Sequence, residues 1–219
     1  TAVGSLSLDA NTTGLGNTAI GKQALTSNTT ASYNTAVGTG SLALTTTGAS
    51  NTAVGYDALV ANTTGSLNVA VGTSALAANT TAASNTAMGY GALTAATTGG
   101  ENTAVGRSSL TDLTTGTTNV AMGTYSGQSV TTGGSNTFIG YQAGDATTTG
   151  EYNVAIGRDA LLSSTTASNN TAIGTSSLDA NTTGDHNVGI GAGTLGALTT
   201  ATNNVAIGRD ALTLSNASE

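Results

Sequence analysis

The chain has 219 residues, a formal net charge of −7, 7% charged residues, 3% aromatic residues and no cysteine. Its four Lys and Arg residues argue against nucleic acid as a partner, because binding phosphates takes clustered positive charge. The lack of cysteine excludes disulfides and thiolate metal sites. No apolar run approaches the roughly 18 residues that would span a bilayer, so we expect no membrane insertion by this segment.

A five-residue phrase, Asn-Thr-Ala-Val-Gly at residues 51–55, returns every 17 residues along the chain. Its glycine occupies positions 4, 21, 38, 55, 72, 89, 106, 123, 140, 157, 174, 191 and 208, without an insertion or deletion. A strict period of this length is typical of stacked coils. We predict an all-β fold, a parallel β-solenoid (β-roll) of about 13 coils of 17 residues, forming a single domain over residues 1–219. With coils about 4.8 Å apart, it would form a rod on the order of 60 Å long.

The three residues before each repeat glycine predict a short strand. The third is Val, Ile or Met in all thirteen repeats, the first is Thr or Val, and the middle one is Ala in eleven. Because strand residues alternate between faces, the first and third share a face, and we predict that they point into the core. The middle residue then points out of its own coil. A continuous stripe of small residues there predicts an oligomer face, formed by Ala53, Ala70, Ala87 and Ala104.

The position after the repeat glycine carries all four basic residues, which are Lys22, Arg107, Arg158 and Arg209, and it also carries three tyrosines. Exposed Tyr and Arg side chains are suited to contacts with a receptor. The predicted ligand contacts are Tyr56, Tyr90, Arg107, Tyr141 and Arg158. Scattered surface aromatics without a binding role are the alternative.

A Leu stands four residues after the glycine in eleven repeats and predicts a second core position. Gly127 and Gly144 replace it, and Phe138 replaces the small Ala in the second of these repeats. A local bend, a thinner section or a contact point near residues 121–150 would each explain this.

A Thr-Thr pair in the twelve complete repeats predicts a corner. Asn-Thr-Thr at positions 11, 28, 62, 79 and 181 matches the glycosylation acceptor pattern, but we interpret it as a corner first.

An Asn opens the phrase in twelve repeats and is never replaced by Asp, Ser or Gly. Stacked coils about 4.8 Å apart bring these amides close enough for each to donate a hydrogen bond to the next. We predict a structural ladder that includes Asn51, Asn68, Asn85, Asn102 and Asn119. The alternative is that each Asn is only a good turn former.

The phrase Asn-Val-Ala-Ile-Gly, at residues 153–157 and 204–208, resembles the head repeats of trimeric autotransporter adhesins of the YadA type. Asn-Thr-Ala-Val-Gly coils are similar to those of bacteriophage tail fibres and long bacterial surface proteins. The resemblance implies a left-handed parallel β-roll, three chains side by side, and a role in attachment. It covers essentially the whole chain, although this coil is longer, with an added Leu and the Thr-Thr corner.

We therefore expect a structural, adhesive segment of an extracellular, cell-surface or virion fibre. Its expected partners are further copies of itself, as a homotrimer or fibre, and a host-surface receptor or glycan. A solitary solenoid or another assembly is the alternative to the trimer. Because Thr1 enters mid-phrase and the pattern lapses at Ser215, Asn216, Ala217 and Ser218, we expect an excerpt of a longer fibre.

No catalytic activity, metal or cofactor is expected. The one histidine, His186, lies in a variable corner without an oriented nucleophile beside it. A structural filament or spacer with no specific ligand is an alternative function, and an ice-binding solenoid is another. The adjacent Thr-Thr pairs argue against ice binding, because adjacent strand residues face opposite sides.

Overall fold

The computed structural model describes residues 1–213, and their regular structure consists of thirteen short strands. Within each of the two units defined below, every strand pairs in parallel with its neighbour in the chain, and equal positions of the repeat lie opposite each other, as Thr35 lies opposite Thr52. This confirms the predicted parallel β-solenoid. The strands are β1 (Ala2–Val3), β2 (Thr18–Ile20), β3 (Thr35–Val37), β4 (Thr52–Val54), β5 (Val69–Val71), β6 (Thr86–Met88), β7 (Thr103–Val105), β8 (Val120–Met122), β9 (Thr137–Ile139), β10 (Val154–Ile156), β11 (Thr171–Ile173), β12 (Val188–Ile190) and β13 (Val205–Ile207).

The chain forms two compact units, Thr1–Ser108 and Ser109–Glu219, which we call the first and second unit. Strands β1 to β7 pair in order within the first unit. Strands β8 to β13 pair in order within the second. The prediction of one domain over residues 1–219 stays a prediction. The lapse of the pattern at Ser215, Asn216, Ala217 and Ser218 lies outside the described residues.

Each strand ends at the repeat glycine because the backbone there adopts a conformation that other residues avoid. The φ of Gly55 is 139° and that of Gly72 is 134°. A Cβ added to Gly55 would lie 2.5 Å from the carbonyl oxygen of Gly72 in the next coil. The invariant glycine is therefore required both by its positive φ and by the close approach of neighbouring coils.

The predicted orientation of the strands is wrong. The middle Ala points into the coil, and Ala53, Ala70, Ala87 and Ala104 are each 0% exposed. The third residue points outward, since Val54 is 37% exposed and Met88 is 44% exposed. Alternation along the strand is present, as expected, but the two faces are exchanged.

The interior of the coil explains the exchange, because the Ala position faces the Leu position across a narrow core. Leu25, Leu59 and Leu93 are fully buried. At Gly127 and Gly144, which stand in Leu positions, an added Cβ would lie 2.7 Å and 2.5 Å from ring carbons of Phe138. The core thus holds a large residue opposite a small one, and Val or Ile opposite Leu would overfill it.

This packing corrects the predicted oligomer face and removes one of the three explanations offered for the repeats near residues 121–150, the contact point. Ala53, Ala70, Ala87 and Ala104 have no exposed surface, so they cannot form an oligomer face. Phe138 is 0% exposed, so it is a core residue that fills the space of two missing Leu side chains and is not a contact point.

The Asn residues that open the phrase form a buried ladder, which we call the first Asn ladder. The backbone N–H of Asn51 donates to Oδ1 of Asn34 at 2.8 Å, and the backbone N–H of Asn68 donates to Oδ1 of Asn51 at 3.0 Å. The side-chain amide of Asn51 donates to the carbonyl of Gly65 at 2.9 Å, one coil further on. Asn85, Asn102 and Asn119 repeat this position and are buried. Each amide therefore connects neighbouring coils, which is more than a turn former does.

A second Asn ladder runs through the residue before the Thr-Thr pair, and sequence reasoning missed it. Asn28 donates to Oδ1 of Asn11 at 2.7 Å, and Asn79 donates to Oδ1 of Asn62 at 2.8 Å. Asn28, Asn62 and Asn79 are 0% exposed, so at these positions the Asn-Thr-Thr match to a glycosylation acceptor does not describe an accessible site in the folded chain, whereas Asn11 is partly exposed. Thr45 interrupts the ladder, and Oδ1 of Asn28 has no hydrogen-bond partner among the described residues.

Replacing Asn85 by Ala should lower the free energy of unfolding by about 1–3 kcal/mol, because it leaves buried groups of Asn102 and Gly99 without a partner. Chemical denaturation of the variant and of Thr81→Ala, an exposed corner control, measures the difference. Equal stability of both variants and the parent would show that the first Asn ladder does not support the fold.

Replacing Phe138 by Ala should cost about 3–5 kcal/mol, because it leaves a cavity between two glycine positions. The triple variant Gly127→Leu, Phe138→Ala and Gly144→Leu should recover most of this loss. Gly127 and Gly144 have φ values of 58° and 64°, close to the 50° to 54° of Leu110 and Leu161, so Leu fits the backbone there. Thermal melts that place the triple variant no higher than the single variant would refute the packing of Ala opposite Leu.

Candidate functional site

The outward side chains of the strands form a continuous surface within each unit. We call this surface the strand face, and it consists of the first and third residues of the strands. Its third residues are aliphatic, and several of them, including Met122, Ile139 and Ile190, are exposed. No charged residue occurs at these positions in β1 to β13. Monomeric proteins leave few contiguous apolar surfaces exposed, and such surfaces mark interaction sites.

The strand face differs between the two units. In the first unit, five of the six three-residue strands begin with Thr, and four of the six end with Val. In the second unit, four of the six begin with Val, and five end with Ile. The first unit therefore presents hydroxyls and methyls together, whereas the second presents a more apolar surface.

The position after each repeat glycine lies beside the strand face, and we call the series of these residues the post-glycine column. The structure places all five predicted ligand contacts there. Tyr90 is 61% exposed, and Tyr56, Arg107, Tyr141 and Arg158 are also exposed. In the first unit, Tyr56, Thr73, Tyr90 and Arg107 follow one another in successive coils.

Acidic residues at the next position modify the column. Nε of Arg158 lies 3.1 Å from Oδ2 of Asp159; because the Arg158 side chain is exposed and solvent screens the charge, the pair contributes little to stability. A hydrogen bond to Asp57, together with its negative charge, raises the pKa of Tyr56. This shift favours the neutral phenol, which can donate a hydrogen bond.

Two aromatic rings of the second unit contact each other. The ring centroids of Tyr125 and Tyr141 are 6.3 Å apart at an interplanar angle of 75°, an edge-to-face arrangement. This contact orients Tyr141 while leaving it exposed. It gives the post-glycine column one fixed aromatic contact point.

The titratable groups do not converge on one place. Residues 1–213 contain no group of three or more His, Cys, Asp or Glu residues that could hold a metal ion. Burial raises the pKa of Asp145 and of Asp179, but the two are two coils apart. His186 is an exposed corner residue with a φ of 59°. The absence of enzymatic activity stays a prediction.

In the part of the chain that the structure describes, no helix has the length and apolar character to cross a membrane. Comparison with known proteins found no matching protein-family model, no matching curated protein and no matching solved structure. The resemblance to YadA-type head repeats and to tail fibres therefore rests on the repeated phrase and on the parallel β-solenoid fold.

The sequence did not identify the strand face, because hydrophobicity predicts that the first and third residues of each strand point into the core. The signal that identifies the inner side is the exchange at Phe138, where a large residue in the Ala position coincides with Gly at two Leu positions. Only residues that share one interior show such compensation in size. The post-glycine column was found because its variable, charged composition is typical of solvent-facing positions.

Replacing both Tyr56 and Tyr90 by Thr should change the free energy of unfolding by no more than about 0.5 kcal/mol per site. Thr already occupies this position of the repeat at Thr39 and Thr73. These tyrosines are exposed, so their loss opens no cavity. Urea denaturation measures the change. A loss of several kcal/mol would assign the column a structural role instead of a binding role.

Proposed function

We propose that this chain is a structural, adhesive segment of an extracellular, cell-surface or virion fibre, without enzymatic activity. The observation that carries the proposal is the partly exposed, uncharged strand face with a column of exposed Tyr and Arg residues beside it. A rigid β-solenoid repeats both surfaces once in every coil. Such a scaffold presents the same contacts many times, which favours attachment through many weak interactions.

The strand face of the second unit is the proposed contact between copies of the chain. Its Val and Ile side chains are partly exposed, and burying them removes apolar surface from water. A second copy carries the same side chains at the same 17-residue period, so parallel copies match coil by coil. The resemblance to YadA-type adhesins supports a homotrimer. This face replaces the Ala stripe as the proposed interface.

The post-glycine column is the proposed attachment surface, with a host-surface receptor or glycan as its partner. Tyrosine offers a rigid apolar ring with a polar tip, and arginine offers several hydrogen-bond donors. Tyr90 and Arg107 lie in successive coils of the first unit, so the two kinds of contact are close together. Neutral sugar rings and acidic groups of a glycan suit these two side chains.

Light scattering tests the contact between copies. The parent should have the mass of a trimer, and Ile156→Lys with Ile173→Lys should reduce it to the mass of a monomer, because both side chains lie on the strand face. The control is Thr166→Lys with Thr183→Lys, which adds the same charge at exposed corners of neighbouring coils. A monomeric parent, or a strand-face variant that keeps the parent's mass, would refute this interface.

Binding to a glycan array and to intact cells tests attachment. Tyr56→Thr with Tyr90→Thr should weaken binding, whereas Tyr33→Ser with Tyr152→Ser should not, because those tyrosines are exposed but lie in another column. A parent that binds neither glycans nor cells would favour a structural spacer without a specific ligand. A hydrolase screen with turnover that His186→Ala abolishes would contradict the absence of enzymatic activity.

A further inference from the structure

The strand face of the first unit carries a regular array of threonine and aliphatic side chains. Thr35, Thr52 and Thr86 point outward, and each is followed two residues later by an outward Val or Met. These threonines are partly exposed, and their hydroxyls make no side-chain hydrogen bond among residues 1–213. This array has no part in the attachment surface proposed above.

The backbone fixes the spacing of the array. Thr35 pairs with Thr52, Thr52 with Val69, and Val69 with Thr86, always at the same position of the repeat. Equivalent side chains are therefore about 4.8 Å apart between strands and roughly 6.6 Å apart along a strand. Because the register does not change from coil to coil, the outward groups form a two-dimensional grid.

Most side chains of the grid are also rigid, Met88 being the flexible exception. Val and Thr are branched at Cβ and have few rotamers. The repeat glycines bring neighbouring coils into direct contact, as the Gly55 position shows. A rigid grid of this kind loses little conformational entropy when it binds another ordered surface.

The chemistry of the grid selects the partner. An ordered lattice of water offers hydrogen-bonding groups at spacings of this order, and the Thr hydroxyls can join it while the methyl groups fill its gaps. No charged residue lies on this strand face. A second copy of the chain is a poorer partner here, because it would bury the Thr hydroxyls without hydrogen bonds, which is costly.

We infer that the strand face of the first unit binds ice. The sequence argument against ice binding concerned the adjacent Thr-Thr pairs, and the structure assigns those pairs another role. Oγ1 of Thr46 donates to the carbonyl of Thr63 at 3.2 Å, and Oγ1 of Thr63 donates to that of Thr80 at 3.0 Å. The ice-binding residues are the alternate outward Thr and Val of the strands, not the corner pairs.

Thermal hysteresis and inhibition of ice recrystallisation by the full chain test this inference. The parent should show both effects, and Thr52→Lys with Thr86→Lys should abolish them at an unchanged melting temperature. The matched control is Thr64→Lys with Thr81→Lys, which places the same charges at exposed corners. This control should keep the activity of the parent.

Thr52→Val with Thr86→Val covers the case in which the Lys variant fails to fold. Val69 occupies the same position naturally, so this variant keeps the shape and loses only the hydroxyls. It should reduce the hysteresis. A parent without hysteresis or recrystallisation inhibition would overturn the inference, as would equal loss in the strand-face and corner variants. Oligomeric mass and glycan binding are measured separately, so failure here leaves the proposed fibre function standing.

Discussion

The narrow interior of the 17-residue coil is the constraint on which the other features of the chain depend. Ala in the middle of most strands faces Leu across the core, and both are fully buried, as in Ala53 and Leu59. Close packing leaves no room for two large side chains there. The same limit on total side-chain volume holds at Phe138, where the large ring lies against Gly127 and Gly144 in place of two Leu side chains. The aliphatic Val, Ile and Met side chains are therefore placed outside.

Polar groups of the thin coil are satisfied by repetition. The first Asn ladder connects the start of each strand to the corner of a neighbouring coil, and the second supports the Thr-Thr corner from inside. Buried amides need such partners, because an unpaired one costs about 1–3 kcal/mol. With the interior occupied by small residues and amides, the apolar surface that remains is available for contacts. Fibre assembly and ice binding are both proposals about this surface.

The sequence predicted the coil length, the parallel strands, the Leu core and the exposed post-glycine column, because each follows from a strict period. It did not predict which side of the strand is inside. Alternation shows that Thr52 and Val54 share a face, but it does not say which face that is. Hydrophobicity favoured Val54 for the core, whereas the size limit selected Ala53. The second Asn ladder was missed because Thr45 and Ala96 interrupt its pattern.

Thiol labelling of single-cysteine variants tests the orientation of the strands most directly, since the natural chain has no cysteine and gives no background. Ala53→Cys and Val54→Cys would each be treated with a maleimide in the folded and the urea-unfolded state. With Ala53 0% exposed and Val54 37% exposed, the thiol at position 54 should react in the folded chain, and the thiol at position 53 should react only after unfolding. Fast labelling at position 53 together with protection at position 54 would contradict the packing described for the core.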